Sequence, residues 1–284
     1  MRWTPRGRSA DLDDLRGSTR GRGGALPKMG IGGFIVLLLL SFIFKKDFFA
    51  LVGGGAPAGT PATQGAPVSA SPEEENLVQF VSFVLDDAQD TWTKIFGDAG
   101  RPYQRARLAL FRDAVRSGCG YAEAAMGPFY CPPDNEVYID LAFYEELRNR
   151  FGADGDFAQA YVITHEIGHH VQNQLGISDQ VRQAQQESPG SANELSVRLE
   201  LQADCFAGIW AHSTQKKNIL DPGDIEEALT GAAAVGDDRI QQQTSGEVRP
   251  ESWTHGSSEQ RMRWFRTGLE TGDLKSCDTF ATAG

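Results

Sequence analysis

The pentad His165-Glu166-Ile167-Gly168-His169 decides how this chain is interpreted. On an α-helix, residues four positions apart lie on one face, so the two imidazoles can bind one zinc ion. Glu166 would then lie beside the metal as a general base for an attacking water. A chance match in a helix that merely packs is the alternative, and the surrounding sequence must decide between the two.

The flanking residues predict a helix of about five turns with the pentad in its middle. Apolar residues recur there at helical spacing: Ala160, Ile163, Ile167 and Val171. Gly176 is a suitable stop signal. Gly168 costs about 1 kcal/mol relative to alanine inside a helix, so we expect another backbone or a substrate to approach it closely. His170 points about 100° away from the metal pair and is expected at the surface or in contact with a metal ligand.

A catalytic zinc site usually has three protein ligands and one open position. The best candidate for the third ligand is Glu200, in a helical stretch from about residue 192 to residue 212. Asp204 lies one turn later on the same face and would accept a hydrogen bond from the second ring N–H of a ligating histidine. Two acidic residues on a solvated helix face are the alternative.

These motifs resemble a known family, the neutral zinc metallopeptidases of bacteria, which are membrane-anchored proteins with a gluzincin-like His-Glu-x-x-His site. The resemblance covers nearly the whole chain. Its most specific stretches are residues 117–120, 127–132, 160–173, 200–205 and 254–261. It implies a zincin fold and a peptidase site in which His165, His169 and Glu200 bind zinc and Glu166 is the base. It implies no particular substrate.

The first 71 residues differ in composition from the rest. Residues 1–28 are polar, glycine-rich and basic, whereas residues 29–44 carry no charge. The apolar run covers about 24 Å as a helix, and the residues that follow can extend it toward the roughly 30 Å of a bilayer core. The sequence predicts a disordered cytoplasmic segment over 1–28, a transmembrane signal anchor over 29–52 and a flexible linker over 53–71.

The distribution of positive charge predicts the orientation of this anchor. Lysine and arginine are in excess before the apolar run, which places the N-terminus in the cytoplasm and the catalytic domain in the periplasm or outside the cell. We therefore expect a single-pass membrane protein whose partner is a peptide or protein substrate outside the cytoplasm. A cleaved secretory signal is the alternative, but no small-x-small cleavage site directly follows the run.

Residues 72–284 are expected to form one folded domain, because about 210 residues suffice for a substantial core. Ser71 is the expected N-cap of its first helix. Short strands are predicted at 107–111 and 136–141, and further helices at 222–236 and 257–272. The predicted fold class is α+β, a zincin-like domain with more helix than sheet, preceded by the transmembrane helix. In zincins an edge strand beside the active-site helix can pair with extended substrate, and the resemblance of layout implies that 136–141 is that strand.

Charge argues against nucleic acid as a partner. The formal net charge is −11, and nine of the 27 lysines and arginines lie in the first 50 residues, so the rest of the chain is more acidic still. A surface of that charge repels a polyanion.

The four cysteines permit three pairings. We favour Cys119 with Cys131, which lie in a segment rich in glycine and proline, and Cys205 with Cys277. A zinc site made of cysteines is disfavoured, because no two cysteines have C-x₂₋₄-C spacing. A free, buried Cys205 is the other alternative.

His255 is the remaining histidine of interest. A hydrogen-bond donor near the metal could stabilise the oxyanion that forms when an amide is attacked. A helix-capping or core histidine is the alternative, because residues 254–257 also resemble the start of a helix.

The sequence thus predicts a zinc metalloendopeptidase. Two other functions stay open: a metallo-amidase acting on non-protein amides of the cell envelope, and a tethered scaffold with an idle zinc site. The presence of Glu166 argues against the scaffold.

Overall fold

The computed structural model describes residues 1–17 and 70–281. The strands in these ranges are β1 (Leu12–Asp14), β2 (Arg107–Phe111), β3 (Ala114–Ser117), β4 (Gly120–Glu123), β5 (Phe129–Cys131) and β6 (Glu136–Asp140). The α-helices are α1 (Pro72–Asp98), α2 (Ala142–Asn149), α3 (Asp156–Leu175), α4 (Ile177–Glu187), α5 (Ala192–Lys216), α6 (Asp224–Ala234), α7 (Asp237–Thr244) and α8 (Ser258–Thr271). The predicted α+β domain, mostly helical with a small sheet, is therefore what the described residues form.

The main sheet has the strand order β1-β2-β6-β5. Strands β1, β2 and β6 are parallel, whereas β5 is antiparallel to β6. Because β6 is paired on both sides, the prediction that residues 136–141 form an edge strand for substrate is wrong. The strand at that edge is β5, whose register pairs Tyr130 with Val137. Strands β3 and β4 form a separate hairpin.

Helix α1 starts as its capping sequence predicts. The hydroxyl of Ser71 accepts a hydrogen bond from the backbone N–H of Glu74 at 3.2 Å. Further along, Trp92 packs edge-to-face against Phe206 of α5, with ring centroids 5.4 Å apart. Both side chains are buried, and burial of each large apolar side chain contributes about 1.5–3 kcal/mol to folding. This packing fixes α5 against the first helix.

Glycines let α5 approach its neighbours at backbone distance. A Cβ added at Gly168 of α3 would lie 2.9 Å from the carbonyl oxygen of Ala203. A Cβ at Gly268 of α8 would lie 1.9 Å from the carbonyl oxygen of Cys205, so only glycine fits there. The close approach predicted for Gly168 is therefore confirmed, and the neighbour is a backbone. It brings the acidic face of α5 beside the histidines of α3.

Both predicted disulfides are present. Cys119–Cys131 links the turn between β3 and β4 to β5, with Cα atoms 5.8 Å apart. Cys205–Cys277 links α5 to a 3₁₀ turn near the C-terminus, with Cα atoms 5.6 Å apart. Both separations lie in the usual range for disulfides, and the alternative of a free Cys205 is excluded.

The transmembrane part of the fold prediction must be corrected. In residues 1–17 and 70–281, no helix has the length and apolar character needed to cross a bilayer. The predicted anchor, residues 29–52, lies outside the described residues, as does nearly all of the linker predicted at 53–71. The single-pass membrane protein predicted from the sequence is therefore not supported.

The first residues give the physical reason why the predicted orientation is wrong. Met1–Asp14 and Ala70–Gly284 form one compact unit. The α-ammonium group of Met1 lies 2.7 Å from the carboxylate of Asp156 at the start of α3. Strand β1 pairs with β2 in the same sheet. Residues 1–14 are thus neither disordered nor separated by a membrane from the domain that contains the pentad.

Candidate active site

Helix α3 presents the pentad as predicted. It ends at Leu175, and Gly176 follows in the left-handed conformation with φ of 77°, which glycine adopts without strain. His165 and His169 lie on one face, with ring centroids 4.8 Å apart. The mid-helix position gives both rings a rigid backbone.

Glu200 of α5 faces these two rings. Its Oε2 atom lies 3.2 Å from Nε2 of His165, and its Oε1 atom lies 3.4 Å from Nε2 of His169. One potential ligand atom from each of the three residues falls within 4.8 Å of the other two. Two imidazole nitrogens and one carboxylate oxygen match the ligand types of catalytic zinc sites. The residues present therefore fit a zinc ion.

The candidate ligands are reachable from solvent. Their side chains are 8 % exposed for His165, 16 % for His169 and 19 % for Glu200. This partial exposure leaves room for the open coordination position that a catalytic site needs and a structural site lacks.

Asp204 lies one turn after Glu200 and contacts the far side of His165. Its Oδ1 atom is 2.8 Å from Nδ1 of His165, and it also accepts a hydrogen bond from the hydroxyl of Tyr161. Burial alone would raise the pKa of Asp204, but the charges of Arg261 and His165 hold it below its usual value. Asp204 is thus a buried carboxylate that can keep the Nδ1 proton of His165 in place.

Arg261 of α8 was not identified from the sequence. Its guanidinium is 3 % exposed and donates to both oxygens of Asp204 at 2.9 Å. A buried carboxylate without such a partner would be strongly destabilising. Asp204 and Arg261 are 57 residues apart in the chain, so no local spacing indicates the pair.

His165 is strongly influenced by its two acidic neighbours. Burial lowers its pKa, but the charges and hydrogen bonds of Asp204 and Glu200 outweigh burial and raise the pKa to about 9. In the zinc-free protein His165 is therefore positively charged at neutral pH. A zinc ion would have to displace that proton.

His169 has a partner of a different kind. Its Nδ1 atom lies 2.9 Å from the side-chain oxygen of Gln172, which is fully buried. Gln172 follows His169 by three positions on the same helix, a spacing at which side chains are neighbours. This spacing could have identified Gln172 from the sequence.

His170 is fully buried. The prediction that it lies at the surface is therefore wrong. Its Nδ1 lies 3.0 Å from the hydroxyl of Tyr130 on β5, and its Nε2 lies 2.7 Å from the carbonyl oxygen of Gln104. Burial lowers the pKa of His170. This histidine therefore links α3 to the edge strand.

Glu166 lies close enough to His169 to influence its pKa. Burial lowers that pKa, but Glu200 and, less strongly, the negative charge of Glu166 raise it above its usual value. Glu166 as a whole residue is 7 % exposed. Within the described part of the chain its carboxylate makes no hydrogen bond or ion pair, in contrast to Glu200 and Asp204. It is therefore available to exchange a proton with a bound molecule.

His255 lies in the loop before α8, and its side chain is half exposed. Helix α8 is capped by Ser257, whose hydroxyl accepts from the N–H of Gln260 at 3.2 Å, so His255 is not the cap. Burial lowers the pKa of His255, but its bond to Asp237 and the charge of Glu200 raise it above its usual value. The influence of Glu200 indicates that His255 lies near the candidate ligands.

Asp237 at the start of α7 holds this loop. One of its oxygens accepts the backbone N–H groups of Thr254, His255 and Gly256 at 2.8, 2.6 and 3.0 Å. Its other oxygen lies 3.2 Å from Nδ1 of His255. This arrangement leaves Nε2 of the ring free to face a substrate. Sequence reasoning missed Asp237, because a lone aspartate at a helix start is common.

Comparison with known proteins agrees with this geometry. Over 288 residues, covering 99 % of both chains, the protein is 46 % identical to the uncharacterized protein YpfJ of Escherichia coli K12. It is 50 % identical over 192 residues, or 64 % of each chain, to the uncharacterized protein Rv2575 of Mycobacterium tuberculosis H37Rv. No solved structure matches the chain. A family model described as "putative neutral zinc metallopeptidase" matches residues 1–280, and the chain therefore belongs to that family.

Proposed function

We propose that the protein is a zinc-dependent endopeptidase whose metal ligands are His165, His169 and Glu200. The observation that supports this most strongly is the convergence of one ligand atom from each residue within 4.8 Å. The carboxylate of Glu166 beside them, which has no ion-pair or hydrogen-bond partner among the described residues, supports a catalytic rather than a structural site. Membership of a zinc metallopeptidase family supports the same class of reaction.

The chemistry follows from the residues around the centre. When bound, zinc would supply Lewis-acid activation of the attacking water and of the scissile carbonyl. Glu166 accepts the proton of the water as the new C–O bond forms and then donates it to the leaving amine. Asp204 holds the Nδ1 proton of His165 throughout, so that Nε2 stays available as a ligand atom.

In this proposal His255 stabilises the oxyanion by donating a hydrogen bond to it. Its ring is half exposed and lies near Glu200, and its Nδ1 is engaged by Asp237. A protonated imidazole in that position donates Nε2–H to the oxygen on which negative charge develops. Asp237 acts through His255 as a positioning residue.

The substrate is proposed to bind as an extended strand beside β5. In the described part of the chain β5 pairs with β6 alone, so its other side offers backbone donors and acceptors. The contact from Tyr130 to His170 holds β5 against α3, directly after the second candidate ligand. A peptide added there would run next to the metal ligands.

Peptides with blocked termini test the proposal. A mixed library is incubated with the zinc-loaded wild type and with Glu166→Gln, and the products are identified by mass spectrometry. Internal cleavage by the wild type but not by the variant would support the endopeptidase.

The same pair of proteins separates the alternatives. Cleavage of cell-envelope amides such as peptidoglycan fragments, with every peptide left intact, would favour a metallo-amidase. A zinc-loaded protein that cuts neither class would favour a scaffold with an idle site.

A further inference from the structure

A chain of buried amide hydrogen bonds leads away from His169. Its first member is Gln172, which is fully buried and whose Oε1 lies 2.9 Å from Nδ1 of His169. The Nε2 group of Gln172 donates to the carbonyl of Leu199 at 2.7 Å and to Oε1 of Gln202 at 3.1 Å. Nε2 of Gln202 in turn donates to the carbonyl of Cys277 at 3.0 Å. These hydrogen bonds thus lead from the candidate metal centre to the C-terminal 3₁₀ turn.

These contacts determine which way each amide faces. The carbonyl oxygens of Leu199 and Cys277 can only accept, so an NH₂ group must face each of them. The oxygen of Gln172 must then face His169 and must itself accept. A proton of His169 is therefore held on Nδ1, which leaves Nε2, on the side of Glu200, as the ring atom that can bind a metal.

Packing alone does not account for two buried glutamines at this place. A primary amide is unfavourable in a protein interior unless its oxygen and both hydrogens find partners. A methionine would fill similar volume without that requirement. In Gln172 all of these groups are satisfied, and one of them bonds the carbonyl of Leu199, the residue before Glu200. A single side chain therefore joins two candidate ligands that come from different helices.

The C-terminal turn, where this series of hydrogen bonds ends, is fixed as well. Cys277 is linked by a disulfide to Cys205 of α5. Two residues further on, the hydroxyl of Thr279 donates to the carbonyl of Arg198 at 2.6 Å. The C-terminal turn is thus attached to α5 on both sides of Glu200.

We propose that Gln172 is a positioning residue for the metal centre, and that Gln202 and the disulfide-linked turn hold Gln172 in place. The inference rests on the proposed zinc function. Gln172 keeps His169 in the one tautomer that can bind a metal through Nε2. Gln202 contacts Gln172 and not His169, so it supports zinc binding indirectly and with a smaller effect.

Zinc affinity tests this without any assay of activity. Competition with a chromophoric chelator gives the Kd of the full-length wild type and of Gln172→Met and Gln202→Met. Loss of a hydrogen-bond partner of a metal ligand typically weakens binding by about 10–100-fold, so we expect a shift of that size for Gln172→Met and a smaller one for Gln202→Met.

Gln89 of α1 offers a matched control. It is also fully buried, and its amide donates to the carbonyl of Ala106 at 2.6 Å. Gln89→Met should lower the melting temperature about as much as Gln172→Met and leave the zinc Kd unchanged. A merely structural role for Gln172 would make the two variants behave alike.

The tautomer of His169 gives a second readout. In the ¹⁵N NMR spectrum of the zinc-loaded wild type, we expect a proton on Nδ1 of His169 that exchanges slowly. It should exchange faster in Gln172→Met.

Two results would overturn the inference: a Kd within twofold of wild type for Gln172→Met, or an equal loss of zinc affinity for Gln89→Met. If Gln172→Met does not fold, Gln202→Met carries the same test, with Gln89→Met as its control. Failure of the proposed function is distinct, because the wild type itself would then bind no zinc or cut no peptide.

Discussion

Asp204 and His165 are joined at 2.8 Å through Oδ1 and Nδ1, inside a protein core where neither the carboxylate nor the guanidinium that balances it reaches solvent. Asp204→Asn should therefore affect both metal binding and folding. Zinc affinity should fall by about 10–100-fold, because the second nitrogen of His165 loses its anchor. Stability should fall by about 3–5 kcal/mol, because the buried guanidinium of Arg261 loses the carboxylate that it contacts most closely.

A surface pair provides the control for that variant. Asp179 and Arg182 form an ion pair in which both side chains are about two-thirds exposed, and exposed pairs contribute only about 0–1 kcal/mol. Asp179→Asn should leave zinc affinity and urea unfolding unchanged. Equal effects of the two substitutions would contradict the role assigned to Asp204.

The metal content of variants tests the ligand set. His165→Ala, His169→Ala and Glu200→Ala should each lose bound zinc, since three protein ligands hold the ion. Glu166→Gln should retain it. Elemental analysis of the purified proteins gives the result, and a fully loaded Glu200→Ala would remove Glu200 from the set.

His255→Ala should lower kcat by about 10²–10³-fold, with KM and zinc content nearly unchanged, because an oxyanion donor acts mainly in the transition state. His212→Ala is a suitable comparison, since the Nδ1 of His212 on α5 lies 2.8 Å from the carbonyl oxygen of Leu269 on α8 and His212 is not among the candidate site residues. A lower melting temperature with kcat intact would show that His255 is structural.

The stability of the zinc-free protein should depend on pH through His165. Its pKa is raised from 6.5 to about 9 in the folded state, so the stability contributed by the protonated ring is fully present below about pH 6.5 and is lost as the pH rises through about 9. The melting temperature of the zinc-free wild type should fall across this window more than that of His165→Gln. Zinc should bind more tightly as the pH rises, because a smaller fraction of His165 then carries the proton that zinc must displace.

Tyr130→Phe should weaken substrate binding. It removes the contacts of the Tyr130 hydroxyl with Nδ1 of His170 at 3.0 Å, with Asn173 at 3.2 Å and with Asn135 at 3.3 Å, and the loss of even one hydrogen bond corresponds to roughly a 2–10-fold change. We expect KM to rise by that factor with kcat unchanged. Tyr144→Phe is the matched control, because the buried hydroxyl of Tyr144 has no hydrogen-bond partner among the described residues. Similar kinetics for both variants would argue against substrate binding beside β5.

Local patterns predicted the parts of the fold that depend on neighbouring residues. Helix α3, its Gly176 stop and the Ser71 cap follow from spacing and side-chain chemistry within a few residues. Glu200 and Asp204 are candidates for the same reason, since they lie one turn apart on α5. The close approach at Gly168 could be expected because glycine is otherwise unfavourable in a helix.

Features that depend on distant partners escaped prediction. Strand β5 has three residues, too few for an alternating pattern, so sequence reasoning favours the longer β6 as the edge strand. Strand β1 consists of Leu12–Asp14 within a charged segment, where composition suggests disorder. Arg261 resembles any other arginine of an amphipathic helix until its partner 57 residues away is known.

The pairing of β1 has a consequence for the order in which the protein folds during synthesis. Leu12 pairs with Leu108, so β1 leaves the ribosome long before its partner strand exists. At about 5–20 residues per second, the wait lasts roughly 5–20 s, and the loop-closure entropy must be overcome when the two strands meet. The segment made first is therefore expected to join the sheet late, after β2 has been translated and a docking edge is available.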